Sequence, residues 1–532
     1  MSPLLIASGD YVNADIAAEV GRLPPAFLPV GCRRLYELQL SMVARSDRRF
    51  ILTLPEGFEP DPFDARLLAE AGVEIIRSDP GLSLGASIVN AIRSADLCEG
   101  PIQILHGDTL YRGLDSSAED HVTIGETSDY YRWARFEMEA GRIVAITDDD
   151  GFAAGSRQVL SGWFHLADAG LLVSEIERTG GFVTGLDGYT RRRPLEPLAA
   201  GEWLDFGHVN TFYQSRGRFP TERDFNALSI SRRTVAKRSA QRAKMAAEVA
   251  WYRSLPPALK PRAPILVDAD LEADLPGYSL EHLYLAPLSD LYVFGRLPRL
   301  SWREIFRACD EFITTCRSYP APSGEVGKAS AILREKTQQR LAGFATASRF
   351  DIGRSIRING VWAPSLSEMV AIVAHSVPSA RPELVCFVHG DMSFSNLLYD
   401  FRRRMIRVVD PRGLNGLGEP SVFGDIRYDI AKLWQCAVGG YDLILAGRYD
   451  IQGTSPYDLE LALPFDERLA NIRDEFLCSR FGGMTSDEAS APAIAVLLFI
   501  SMLPLHADDP RRQRALLANA ARLYAQLERV EP

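Results

Sequence analysis

Apolar runs and amphipathic stretches alternate over residues 1 to about 215. Leu4-Leu5-Ile6-Ala7, Phe50-Ile51-Leu52-Thr53-Leu54, Glu74-Ile75-Ile76 and Ile102-Gln103-Ile104-Leu105 read as strands. Helical patterns separate them, as over Asp64 to Ala71 and Gly85 to Ala95. That alternation predicts a parallel sheet with helices on both faces. Ligands then bind at the carboxyl ends of the strands. Ile104-Leu105-His106-Gly107-Asp108 puts a carboxylate at one such end, and Trp203-Leu204-Asp205-Phe206-Gly207 supplies a second. A polar stretch from Ser215 to Arg223, interrupted by Gly217 and Pro220, marks a domain junction. Beyond it, Thr234 to Ser239 reads as a strand bearing Lys237, and Gln241 to Tyr252 as a helix bearing Glu248. The expected division is 1–215, 216–290 and 291–532.

At 532 residues the chain is too long for one ordinary core. Apolar content of 46% and charged content of 24% are those of a soluble globular protein. A formal charge of −10 argues against nucleic acid as a partner, which would need a basic face. The seven cysteines form no C-x-x-C pair, so neither a zinc site nor a disulfide framework is indicated. The longest apolar run, Ile494 to Leu505, is too short to cross a bilayer and reads as a buried helix. No signal-like segment opens the chain, so a reducing cytoplasmic setting without a membrane partner is expected. A monomer and a homo-oligomer are both compatible with this composition.

The stretch Val388-His389-Gly390-Asp391-Met392-Ser393-Phe394-Ser395-Asn396, followed by Val409-Asp410-Pro411-Arg412-Gly413, changes the picture. An Asp, an Asn five residues on and a second Asp after one short strand form the minimal acid set of kinase-type phosphoryl transfer. One carboxylate orients the attacking hydroxyl, while the Asn and second Asp hold magnesium against nucleotide phosphates. Upstream, Lys237 and Glu248 fit the small-lobe pair in which a Lys neutralises phosphate and a helix Glu holds it. Lys244 and Arg238 compete for that role. No G-x-G-x-x-G loop precedes Lys237; Phe225-Asn226-Ala227-Leu228-Ser229 occupies that place.

These residues resemble the aminoglycoside phosphotransferase and choline kinase superfamily, whose catalytic loop reads H-G-D-x-x-x-x-N. The resemblance implies a two-lobed α+β protein-kinase-like domain using ATP and Mg2+. It makes Asp391 the catalytic base, and Asn396 and Asp410 the metal ligands. Gly424-Asp425-Ile426-Arg427-Tyr428-Asp429 also matches, with Asp425 and Asp429 as scaffold residues. Pro411-Arg412-Gly413 departs from the antibiotic kinases, which usually carry an aromatic and an acid after the metal Asp. His506 and Asp508, on the late helices, are candidates for acceptor contact or for purely structural roles. Trp251, Trp434 and Tyr441 read as packing residues.

The N-terminal part resembles the sugar-nucleotide and phosphocholine nucleotidyltransferases, of Rossmann-like, glycosyltransferase-A-like fold. Leu28-Pro29-Val30 with Leu35-Tyr36-Glu37-Leu38-Gln39 is similar to the family's L-P-V…L-x-E-x-Q element. Gly85-Ala86-Ser87 sits where the family contacts the nucleoside, giving Gly85 and Ser87 as nucleotide contacts. His106-Gly107-Asp108 and Trp203-Leu204-Asp205-Phe206-Gly207 match the metal motifs, giving Asp108 and Asp205 as ligands. The family's glycine-rich opening loop is replaced by Ser8-Gly9-Asp10-Tyr11-Val12-Asn13, and its Lys is missing. Arg22 and Arg33 are then the candidate triphosphate cations, with Arg34 third.

Together these resemblances imply an α/β bifunctional enzyme. Its kinase half would phosphorylate a hydroxylated small molecule with ATP. Its nucleotidyltransferase half would couple that phosphate to CTP or UTP, giving a CDP-alcohol or NDP-sugar for surface polysaccharide. An active kinase beside a degenerate N-terminal binding module is the alternative. A catalytically silent scaffold is the third reading.

Overall fold

The structure, a computed structural model, describes residues 2–43, 48–114, 118–129, 131–148, 157–199, 201–219 and 227–528. The chain forms two compact units, Met1–Pro220 with Phe294–Arg296, and Thr221–Val293 with Leu297–Pro532. Phe225 and Asn226 lie outside the described residues. Among the described residues no helix is long and apolar enough to cross a membrane.

The first unit is α/β and Rossmann-like. Its seven-stranded sheet has the spatial order Glu196–Ala199, His121–Thr127, Arg157–Leu166, Ile102–His106, Leu4–Ala7, Phe50–Pro55, Val73–Ser78. The four strands expected from the apolar runs lie side by side and run parallel. Leu4, Leu5 and Ile6 are all buried, as a strand covered on both faces requires. One side of the core is filled by Ile88, Ile92, Leu172, Ile176, Phe182 and Leu186 from three helices. The sheet is mixed rather than wholly parallel, because Arg157–Leu166 pairs antiparallel with Ile102–His106 and with His121–Thr127. The helices expected at Asp64 to Ala71 and Gly85 to Ala95 span Pro62–Glu70 and Leu84–Ser94, N-capped by Asp61 and Ser83.

The second unit is α+β. A four-stranded sheet runs in the order Ala227–Ile230, Thr234–Arg238, Gly277–Glu281, Leu266–Asp270. The helix Arg242–Arg253 packs on it and buries Met245, Ala247, Glu248 and Val249. A helical body follows, built around Arg299–Arg317, Val326–Ser348, Ile426–Ala437, Ala491–Met502 and Pro510–Glu528. Ala491–Met502 contains most of the long apolar run and is buried nearly all round, so it is a central core helix. Trp251, Trp434 and Tyr441 are buried packing residues.

Candidate active sites

In the second unit the strand Thr234–Arg238 turns Lys237 inward, opposite Tyr278 in the ladder. Lys237 Nζ meets Glu248 Oε2 at 2.8 Å and also pairs with Asp410. The Tyr278 hydroxyl donates to the same Glu248 oxygen at 2.6 Å, and Lys244 Nζ stands 3.6 Å from the other oxygen. Burial opposes charge on the Lys237 ammonium, but Asp410 and Glu248 outweigh it and raise its pKa. Burial likewise works against ionisation of Asp410, yet Lys237 and Lys244 hold its carboxyl below the usual range. Both groups are therefore charged at neutral pH.

The loop that carries Asp391 is fixed from beneath. Burial lowers the pKa of His389, so the imidazole is neutral. Its Nε2 lies 3.0 Å from the Val409 carbonyl, which can only accept, so Nε2 carries the proton and Nδ1 accepts from the Asp391 amide at 3.3 Å. The Asp429 carboxylate accepts the His389 amide at 3.0 Å. Asp425 caps the helix Ile426–Ala437 and pairs with Arg427 at 2.6 Å. Asn396 Nδ2 donates to the Asp391 carbonyl at 3.0 Å, and its backbone carbonyl accepts the Val409 amide at 2.9 Å. Asp391, Asn396 and Asp410 are thus brought to one place by the short hairpin Leu397–Asp400/Met405–Val408.

Two further features escaped the sequence reading. Lys432 Nζ contacts Asp391 Oδ1 at 3.0 Å from a nearly buried position. It is the lone Lys on the otherwise buried helix Ile426–Ala437, a signal that a charge at a core position carries. Asp410 adopts φ 56°, a left-handed conformation uncommon outside glycine. The departing tripeptide also has a steric reason. Gly413 sits at φ +63°, and a Cβ there would lie 2.5 Å from the Ala247 carbonyl oxygen of the helix that carries Glu248. Gly413→Ala is expected to cost about 1–3 kcal/mol, from overpacking added to backbone strain. Gly418, at φ +83° with open space around it, is the control: Gly418→Ala should lose clearly less in a denaturant titration. His506 is buried near Tyr441, and Asp508 pairs with Arg512 at 2.7 Å.

In the first unit Asp108 and Asp205 meet beside Gly207. A Cβ on Gly207 would lie 2.3 Å from Asp108 Oδ2 and 3.4 Å from Asp205 Oδ1. The two carboxylates are therefore well within the roughly 8 Å beyond which a shared ion could not reach both. The Phe206 amide donates to the Asp108 carbonyl at 2.8 Å, and Glu202–Asp205 pairs with Thr109–Arg112. Gln39 Nε2 lies 2.9–3.2 Å from the carbonyls of His106, Gly107 and Thr109, which fixes the loop bearing Asp108. Asp205 Oδ2 is held by His208 Nδ1 at 3.0 Å and by the Thr211 hydroxyl. Burial, and then the charge of Asp205, push the Asp108 carboxyl up to about 6.

The other candidates of this unit are scattered around that pair. Arg22 is exposed and stacks 3.9 Å over the ring of Tyr11, beside the loop that replaces the glycine-rich one. Arg33 is exposed on the short hairpin Pro29–Val30/Arg33–Arg34. Arg34 is buried and bound to Asp64 at 3.0 Å, so it is committed to the core. Ser87 Oγ pairs with Ser78 Oγ at 2.8 Å, and a Cβ on Gly9 would meet Ser87 Oγ at 2.5 Å, which puts Ser87 under the same loop. Gly85 lies against Phe182 and Ile176, where a Cβ would stand 2.8 Å from the Phe182 nitrogen.

Among the described residues no three His, Cys, Asp or Glu side chains converge as a metal cluster. Both acid sets are instead small groups of hard oxygen donors, the kind Mg2+ accepts when water and phosphate complete its shell.

Comparison with protein-family models finds no match, and neither does comparison with curated proteins. Among solved structures the chain is similar to HddC from Yersinia pseudotuberculosis, with 18% identity and a TM-score of 0.32 over 41% of this chain and 100% of that one. It is similar to the inositol-1-phosphate CTP transferase from T. maritima, with 14% identity and a TM-score of 0.32 over 41% and 95%. A second group covers more of the chain. The aminoglycoside phosphotransferase APH(2'')-Ib with ADP matches 57% of this chain and 90% of its own, at 13% identity and a TM-score of 0.34.

Proposed function

We propose that the chain is a bifunctional enzyme. Its second unit phosphorylates a hydroxyl of a small metabolite with ATP, and its first unit transfers a nucleotidyl group from an NTP, CTP or UTP, to the phosphate so formed. The observation that carries the reading is the assembly of Lys237, Glu248 and Asp410 in one ion cluster beside the loop of Asp391 and Asn396. In this reading Asp391 accepts the acceptor proton, and Lys432 keeps it anionic and aimed. Lys237 takes nucleotide phosphate charge, held in place by Glu248. Asn396 and Asp410 would hold Mg2+, as would Asp108 and Asp205 in the first unit, and such an ion screens charge on the reacting phosphates. Arg22 and Arg33 are the cations proposed for the triphosphate. Consecutive steps on one chain keep the intermediate's local concentration high. An activated CDP-alcohol or NDP-sugar for surface polysaccharide is the product this order of reactions gives, and the cytoplasm, where NTPs are made, is its setting.

The second reading, kinase alone, draws on the replaced loop Ser8 to Asn13, which offers a triphosphate one glycine where the resembled family has several. Incubation with ATP, each of CTP, UTP and GTP, and a panel of hydroxylated acceptors separates the two. ADP and pyrophosphate are followed independently. Both products are expected; ADP without pyrophosphate under every NTP would leave the kinase alone.

Lys237→Met tests the small lobe. Loss of one charge-assisted bond to phosphate, worth about 1.5–3 kcal/mol, should raise the KM for ATP and lower turnover, together by roughly 10–100-fold. An unchanged ATP dependence would move the role to Lys244, which already stands beside Glu248.

A further inference from the structure

Beside the loop of His389 and Gly390 lies an open cleft, lined in part by Ala329, His389, Gly390, Arg412, Asn415 and Tyr428. Its electrostatics are lopsided. Arg412 leans over Gly390, where a Cβ would touch its side chain at 2.8 Å, and over the Tyr428 ring at 5.2 Å. Its Nη2 is buried and has no hydrogen-bond partner among the described residues. Lys432, one turn after Tyr428 on the same helix, sits on Asp391. The helix Val326–Ser348, which gives Ala329 to the cleft, also carries Lys336 and, one turn on, Arg340. Arg340 donates to the Ser501 carbonyl at 3.3 Å, which anchors that turn.

The other three cations bear on Lys336. Burial, and then the charges of Arg412, Arg340 and Lys432, push the Lys336 ammonium down to about 6, with Asp391 the main opposing charge. Among the described residues the other acids near the cleft are already engaged: Asp425 with Arg427, Asp429 with the His389 amide, and Glu325 and Glu419 with Lys328. Burial and the charges of Arg412, Arg340 and Lys432 thus leave the Lys336 amine largely uncharged at neutral pH, and an anion entering beside it would restore its proton. A cationic acceptor would meet repulsion there rather than a counter-charge.

We propose that the kinase acceptor is itself an anion: a hydroxylated small molecule whose carboxylate or phosphate group is bound by Arg412, Lys336 and Arg340 while its hydroxyl faces Asp391. This rests on the kinase reading given above. Lys432 stays with the base, and the ATP phosphates remain with Lys237 and the Mg2+ that Asp410 would hold. Arg412 provides the planar fork suited to either oxyanion, and Lys336 a point charge at its side. The cluster therefore selects among acceptors by charge, and excludes amines such as choline or an unmodified amino sugar.

The test compares ADP release from four acceptor types sharing one scaffold: a neutral sugar, its amino sugar, its uronic acid and its phosphate ester. Release should be confined to the last two, and the better of them identifies the anion. Lys336→Met keeps the length of the side chain and removes the charge. It should raise the KM for the anionic acceptor roughly tenfold or more and leave the KM for ATP unchanged, with Lys336→Arg recovering most of the loss. Equal or faster release from the neutral or amino sugar overturns the inference while the kinase reading stands. If no acceptor releases ADP, the kinase reading is what has failed, and the cluster is judged by binding alone. The uronic acid and the phosphate ester are titrated into wild-type and Lys336→Met protein by calorimetry. Binding of either that weakens in the variant supports the anion site; no binding, or binding unchanged by the variant, removes it.

Discussion

Asp391→Asn is expected to lower acceptor phosphorylation by about 10²–10⁴-fold, the usual worth of a positioned general base. ATP affinity should hardly change, while the thermal midpoint should fall, because buried Lys432 loses its counter-charge. The reason is the division of labour around the loop. The Asp391 side chain touches Lys432, while its backbone carbonyl, which the variant keeps, anchors Asn396. Its amide bonds His389 through the backbone as well. Asn can therefore occupy the same position without disturbing the elements that would hold nucleotide. It leaves Lys432 without its carboxylate, so Lys432 is the group whose environment changes most. The measurement is single-turnover ADP formation with saturating ATP, alongside nucleotide binding by calorimetry. Phosphorylation at near wild-type rate would assign the proton to another acceptor. Loss of ATP binding would mean that the loop had collapsed and would require Asp391→Glu as a second probe.

The parts of this site that were legible in the sequence are those carried by short spacing. Asp391, Asn396 and Asp410 lie on one loop and the hairpin after it, so their order fixes their meeting. Lys237 and Glu248 were readable for the same reason: one strand and the next helix bring them together at 2.8 Å. Lys432, Arg412 and Lys336 were not, because their neighbours come from three elements far apart in sequence, and a lone Lys or Arg is usually a solvated one. The fold divides similarly. Leu4–Ala7, Phe50–Pro55 and Ile102–His106 announce themselves as apolar runs buried within the sheet, and Val73–Ser78, at its edge, through the pair Ile75-Ile76. The strands His121–Thr127, Arg157–Leu166 and Glu196–Ala199 carry His, Glu, Arg, Gln and Pro, and lack that contrast. Arg157–Leu166 also shifts register between Leu160 and Phe164, with Gly162 at φ +100° inside the irregular stretch, which blurs the period of two.

Asp108→Ala is expected to stop pyrophosphate release while ADP release continues. Asp108 and Asp205 come from distant segments and are forced together by the pairing of Glu202–Asp205 with Thr109–Arg112. Burial, and then repulsion between the two carboxylates crowded beside Gly207, push Asp108 up to about 6. Such a pair is costly to maintain unless a divalent cation occupies it in the working enzyme. Removing one carboxylate should therefore forfeit several kcal/mol of charge stabilisation in nucleotidyl transfer, about 10²–10³-fold or more in rate. It should not destabilise the metal-free protein, since what is lost is a repulsion, and the thermal midpoint without metal should stay level or rise. Magnesium should raise the midpoint of the wild type more than that of Asp108→Ala when nucleotide is absent. Asp205→Asn keeps the bonds that His208 and Thr211 make to this side chain but removes its charge, and should lose the same activity without loss of fold. Pyrophosphate release at wild-type rate in both variants would take catalysis away from this pair, and the N-terminal unit would then be a binding module beside a working kinase.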